Sequence, residues 1–177
     1  MAARHATLVA ALAVTLAGLA LPAPAPAQPA TPPNVQAQIN AHLRSYPGGV
    51  QTGPAEVSYD NGVFVMTFVR PESQPGTAGT ADCPGGWFCF YDYINFGYPR
   101  GKLSDCGWQD LARWGWQNRT ESVHYNQSSG SVAFLNHAAG VTHHTHDVAV
   151  FGVGTNPRTI ADVSPNRNTA DHVQRYC

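Results

Sequence analysis

Four cysteines, Cys83, Cys89, Cys106 and Cys177, all fall from residue 83 onward in a 177-residue chain and constrain its fold more than any other feature. An even set of cysteines in an exported chain reads as a disulfide framework, and four allow three connectivities. The run Cys83-Pro84-Gly85-Gly86-Trp87-Phe88-Cys89 closes a short loop around a Pro-Gly-Gly turn, which makes local pairing easy. Cys177 is the last residue, most simply explained as a tie on the chain end. The pairing Cys83–Cys89 with Cys106–Cys177 is therefore favoured. In the chain-entropy picture the short bridge is worth about 2 kcal/mol and the long one about 4 kcal/mol. A zinc site competes poorly, because no C-x-x-C spacing is present.

Export is written at the other end. Arg4 and His5 precede an apolar run from Ala6 to Leu21, followed by Pro22-Ala23-Pro24-Ala25-Pro26-Ala27. A charged start, an apolar core and a small-x-small exit make a secretory signal peptide, with cleavage expected after Ala27. The run is short for a bilayer span. The mature protein is expected to be secreted, extracellular and free of the membrane.

Composition then excludes partners. Only 12% of residues are charged, and ten Lys+Arg stand against eleven Asp+Glu. That balance offers no basic field for nucleic acid and no polybasic membrane patch. Hydrophobic residues at 43% argue against global disorder.

The mature chain divides by pattern. Val35, Ile39, Leu43 and Tyr46 recur at helical spacing over 34–46, with Asn34 as the expected cap and Pro47-Gly48-Gly49 as the stop. Asp60-Asn61-Gly62 lies between Glu56–Tyr59 and Val63–Val69, a strong hairpin signal. A hairpin alone is marginal in water and must pack on something. The expected layout is a signal peptide (1–27), a helix and β-hairpin segment (28–69), an exposed linker (70–81) and a disulfide-bonded domain (82–177). Within that domain the spacing predicts strands at Trp87–Tyr91, Lys102–Ser104, Val123–Asn126, Val132–Leu135 and Val148–Val153, with another near Val173–Tyr176. A short helix is expected within Asp105–Trp116.

A faint repeat runs through the same region. Asn118-Arg119-Thr120-Glu121-Ser122-Val123 aligns with Asn168-Thr169-Ala170-Asp171-His172-Val173, and Trp87–Tyr91 opens one unit as Ser131–Leu135 opens the other. Two such units fit a duplicated Greek key.

The pattern C-P-x-G-x-x-C-x-Y at Cys83–Tyr91, with W-x-x-R-x-x-S-V at Trp116–Val123, resembles the secreted bacterial peptidase inhibitors with a βγ-crystallin-like fold, of the streptomycete metalloproteinase inhibitor type. The likeness covers 83–126 best and 130–177 loosely. It implies a mainly β, double Greek-key domain, an exported protein, and inhibition of an extracellular protease; apart from the resemblance, a monomer without cofactor is expected. The family's inhibitory loop is bracketed by a close second cysteine pair, which this sequence lacks, so no reactive-site residue is carried over. Crystallin-type calcium clamps follow [N/D]-[N/D]-x-x-[S/T]-S. Here the matching stretches are Gln117–Ser122 and Arg167–His172, leaving Asn118, Glu121, Asn168 and Asp171 as weak calcium candidates.

Two regions remain as protease contacts. Tyr93–Gly101 offers Phe96 and Tyr98, apolar side chains of the kind a thermolysin-like pocket accepts. Asn136–Asp147 carries His143, His144 and His146, imidazoles that could approach a catalytic zinc. Catalysis by the chain itself is not expected: no G-x-S-x-G elbow, H-E-x-x-H helix or phosphate loop occurs, and the cysteines are committed to bridges. The competing reading is a non-inhibitory secreted module that binds carbohydrate, cell wall or calcium.

Overall fold

A computed structural model describes residues 33–71, 79–138 and 146–177. The expected signal peptide, most of the expected linker, and His143 and His144 lie outside the described residues. Helix α1 (Pro33–Ser45) opens the described chain, one residue from the periodicity-based start. Eleven strands follow: β1 (Val50–Gly53), β2 (Glu56–Tyr59), β3 (Phe64–Thr67), β4 (Trp87–Tyr93), β5 (Gly97–Leu103), β6 (Gly107–Asp110), β7 (Ser122–Asn126), β8 (Ser131–His137), β9 (Asp147–Gly154), β10 (Thr159–Ile160) and β11 (His172–Tyr176). They form a seven-stranded sheet ordered β1-β2-β3-β5-β4-β7-β10 and a four-stranded sheet ordered β6-β11-β8-β9. All strand pairs are antiparallel.

The faint repeat reappears as register. Phe90 faces Val123 across β4 and β7, and Phe134 faces Val173 across β8 and β11. Tyr91 opposite Ser122 matches Leu135 opposite His172. Asn118 N–H donates to Ala170 O at 2.9 Å, and Asn168 N–H returns to Thr120 O at 3.0 Å. Both asparagines hold φ near +55°, a conformation asparagine tolerates. The units also trade a strand. β6 follows β5 in sequence but pairs with β11, and β10 follows β9 but pairs with β7.

Side-chain alternation along β4 divides the interior. Phe88 and Phe90 point into the main core with Trp116, Phe134, Val132 and Val173. Cys89 and Tyr91 point the other way, into a smaller cluster with Cys83 and Phe96. The main core draws on both sheets, and the Phe90 and Phe134 rings meet edge to face at 5.9 Å. Gly101 is required beside Phe90, because a Cβ there would run into its ring. The bridges are Cys83–Cys89 and Cys106–Cys177, with Cα separations of 5.5 and 5.8 Å.

Three readings change. The described part of the expected first segment, residues 33–69, does not stand apart from the strands after Asp82: β3 pairs with β5 from Phe64↔Leu103 to Thr67↔Arg100. Val35, Ile39, Val57 and Phe64 share one core with Phe90 and Trp116. Trp114 stacks on Phe64 at 4.8 Å, and its indole N–H reaches Asp60 Oδ2 at 2.9 Å. Second, the helix expected within 105–116 is a strand followed by a single 3-10 turn (Leu111–Trp114). Gly107, at φ +91°, turns the chain so that 107–110 can lie along β11. Third, β5 begins earlier than expected, since the Gly97–Pro99 stretch that reads as loop lies beside β4.

Candidate functional site

The β4–β5 turn is short and heavily pinned. Asn95 and Phe96 both take positive φ, at 55° and 59°, as the central pair of a type I′ turn requires. Asn95 N–H donates to Ala161 O at 2.7 Å, and Ile94 N–H to Glu121 Oε2 at 3.2 Å. Ser122 Oγ accepts from Phe96 N–H at 3.0 Å and donates to Tyr93 O at 2.7 Å. Phe96 itself is 6% exposed and packs edge-on against Tyr91. It therefore fills the smaller core rather than projecting. Tyr98 is half-buried, and its hydroxyl donates to Asp82 Oδ2 at 2.7 Å. Burial, opposed by the Arg100 charge and reinforced by the Asp82 hydrogen bond, holds its phenol far above the usual tyrosine range. The side chains this turn leaves outside are Tyr93, 58% exposed, and Ile94, 37% exposed.

Asp82 organises the ground beneath. Tyr91 and Tyr98 hydroxyls donate to its two oxygens, Arg70 pairs with Oδ2, and Arg100 Nη1 stands 3.4 Å from Oδ1. Arg70 comes from the end of the β3 segment. This hub ties the first residue of the expected linker, Arg70, and the residue after it, Asp82, to one point on the sheet.

The calcium candidates are spread over other duties. Asn118 and Asn168 shape the exchanged turns already described. Asn168 Nδ2 donates to Glu121 Oε1 at 2.8 Å, while the other Glu121 oxygen holds Ile94 N–H. The structure thus joins Glu121 and Asn168 in a hydrogen bond. It sends the Asp171 carboxylate elsewhere, to His137, with Nε2 to Oδ2 at 4.0 Å.

That contact leads to a cluster that sequence reasoning did not assemble. His137 ends β8, Asp147 begins β9 directly opposite it, and His172 begins β11 opposite Leu135. Side chains two apart on a strand share a face, so Leu135, His137 and His172 point the same way. Asp147 Oδ1 lies 3.2 Å from His137 Nδ1, and Asp147 Oδ2 lies 2.7 Å from His172 Nδ1. The two rings meet edge to face at 4.6 Å. Trp108 on β6 lies 4.6 Å from the His172 ring and donates its indole N–H to Asp147 Oδ2 at 3.1 Å. The Asp147 and His172 side chains are 4% and 5% exposed, whereas His137 is 25% exposed. His146, the remaining described member of the histidine run, is exposed, and its carbonyl accepts from Ala138 N–H at 3.2 Å.

Each piece was visible in sequence. His137 and Asp147 lie in the Asn136–Asp147 region singled out for its histidines, and His172 ends one of the two stretches set against the calcium pattern. Their meeting depends on pairing across distant strands, which no local spacing reveals. No protein family, curated protein or solved structure matches the chain.

Proposed function

We propose that the chain is a secreted peptidase inhibitor built on a βγ-crystallin-like double Greek key and directed at an extracellular metalloprotease. Two disulfides fit an oxidising, non-cytoplasmic compartment. The Greek-key reading is supported by the return of each unit's fourth strand beside its first, β7 beside β4 and β11 beside β8.

The observation that carries the inhibitory reading is the Tyr93–Gly97 turn. Its backbone is fixed by partners in two other segments, Glu121–Ser122 and Ala161, yet two apolar side chains stand in solvent. A contact already rigid before binding loses little ordering entropy on docking. Tyr93 and Ile94 replace Phe96 and Tyr98 as the side chains offered to a cleft. Replacing both with Ala should weaken inhibition at least about tenfold, the scale of a lost aromatic anchor. Phe96→Ala should instead lower stability. Purified protein is assayed against a thermolysin-like metalloprotease and a serine protease.

A second reading, a non-inhibitory binding module, is favoured by the turn's shape. A protease cleft takes an extended segment, and consecutive positive φ values at Asn95 and Phe96 fold the chain back on itself. Failure of wild type to inhibit either class at micromolar concentration would select this reading.

A further inference from the structure

We propose that His137, Asp147 and His172 bind one divalent transition-metal ion of the zinc class. The three residues offer one ligand atom each within 4.8 Å of one another. Two imidazoles and a carboxylate are the mixed nitrogen and oxygen set that suits zinc and its first-row neighbours, while calcium prefers six or more oxygens. Ligand atoms about 2.0–2.1 Å from zinc at tetrahedral angles stand roughly 3.3 Å apart. The His137 Nδ1 to Asp147 Oδ1 distance is already 3.2 Å.

Polar atoms in the cluster point to a ligand. His172 Nδ1 is buried and makes no hydrogen bond, with Asp147 Oδ2 2.7 Å away as an ion-pair partner when the ring is protonated. Asp171 Oδ1 is likewise buried and unpartnered. Buried polar atoms without partners are rare and call for an explanation. A cation between the imidazoles and Asp147 would satisfy His172 Nδ1 directly.

The surroundings fit the same role. Both histidines turn Nδ1 toward Asp147, and each Nε2 faces a further carboxylate: Asp171 Oδ2 at 4.0 Å from His137 and Asp110 Oδ1 at 3.9 Å from His172. Carboxylates on the far nitrogen are the usual support of metal-bound histidine, fixing its tautomer and raising its basicity. Trp108 fixes Asp147 from one side and covers His172. The open flank lies at His137, leaving a coordination position for water or an exchangeable group. With all four cysteines in bridges, no thiolate competes.

The test is calorimetric titration of metal-stripped, disulfide-intact protein with zinc chloride near neutral pH, with Trp108 emission and the visible spectrum of the cobalt form as second readouts. Expected is uptake of one ion per chain, a change in tryptophan emission, and d–d bands of a four- or five-coordinate site. Asp147→Asn and His137→Gln should each weaken affinity at least about tenfold, the scale on which ligand-shell changes act. His137 is partly exposed, so its variant keeps the test valid if changes at buried His172 prevent folding. The triple replacement of His143, His144 and His146 by Ala should leave affinity intact. Absence of zinc uptake by wild type at about 0.1 mM would overturn the proposal, and the cluster would then be an ion-paired hydrogen-bond network. So would binding that survives Asp147→Asn and disappears in the triple variant.

Discussion

The two repeated units meet the same backbone problem at the same place and solve it with different chemistry. In the first, Tyr93 lies opposite Gly97 at the end of β4, with Ser122 at the start of β7. In the second, the matching positions are His137 opposite Asp147, with His172 at the start of β11. The first unit uses a hydroxyl to clamp a tight turn. The second carries a longer connection, and three titratable side chains meet at the matching register positions. A duplicated frame thus separates what the strands need, which is the register, from what each end is free to become. The units also differ in support: the first leans on β3 and α1, whereas β9 of the second forms a sheet edge.

Removing that support should give the largest effect. A fragment of residues 82–177 keeps both units and both bridges but strips β3 from β5 and uncovers Trp114 and Phe90. Loss of its cooperative thermal transition is expected, followed by circular dichroism and calorimetry. A sharp transition in the fragment would show that the units hold each other without the helix and hairpin. At the next scale, Phe90→Ala and Phe134→Ala should each cost about 3–5 kcal/mol in urea unfolding, since both rings are fully buried at equivalent positions. A marked inequality would mean that the two halves of the core are not energetically equivalent.

The smallest effect probes the helix alone. His42 packs among Tyr46, Tyr59 and Phe68, and burial, with a lesser contribution from the Arg119 charge, pulls its pKa from 6.5 down to about 4. The unfolded chain takes up the proton first as pH falls, so stability is full above about 6.5 and declines toward 4. Allowing for partial solvent screening, the loss should be on the order of 1–2 kcal/mol. His42→Phe should flatten that slope in urea titrations across the window. An unchanged slope would place the acid sensitivity elsewhere.

Much of the strand content was legible because it is local. The Asp60-Asn61-Gly62 turn, the alternation through Trp87–Tyr91 and the spacing of Val35, Ile39 and Leu43 each report a face of one element. Both bridges followed from loop size and a terminal cysteine. Pairing between remote strands was not legible. Nothing in Phe64–Thr67 names Gly101 as a neighbour, and a Gly-Pro stretch looks like loop until a partner strand lies beside it. The His137–Asp147–His172 cluster failed to appear for the same reason. Conversely, Phe96 was misread because an aromatic residue in a turn looks exposed, whereas positive φ swings its ring inward onto Tyr91.

The traded strands have a kinetic consequence. Because β6 completes the sheet of the later unit and β10 that of the earlier one, neither sheet can close until distant parts of the chain have met. Such topologies are rich in contacts between remote residues and fold slowly. Cys106 immediately precedes β6 and Cys177 immediately follows β11, so their bridge joins the two strands at one end of the ladder, across a sequence separation of 71. In the oxidised unfolded chain this encounter is already made. What would be the most remote strand pairing among the described residues becomes a local one, and the bridge sets the register from which the four-stranded sheet can zip.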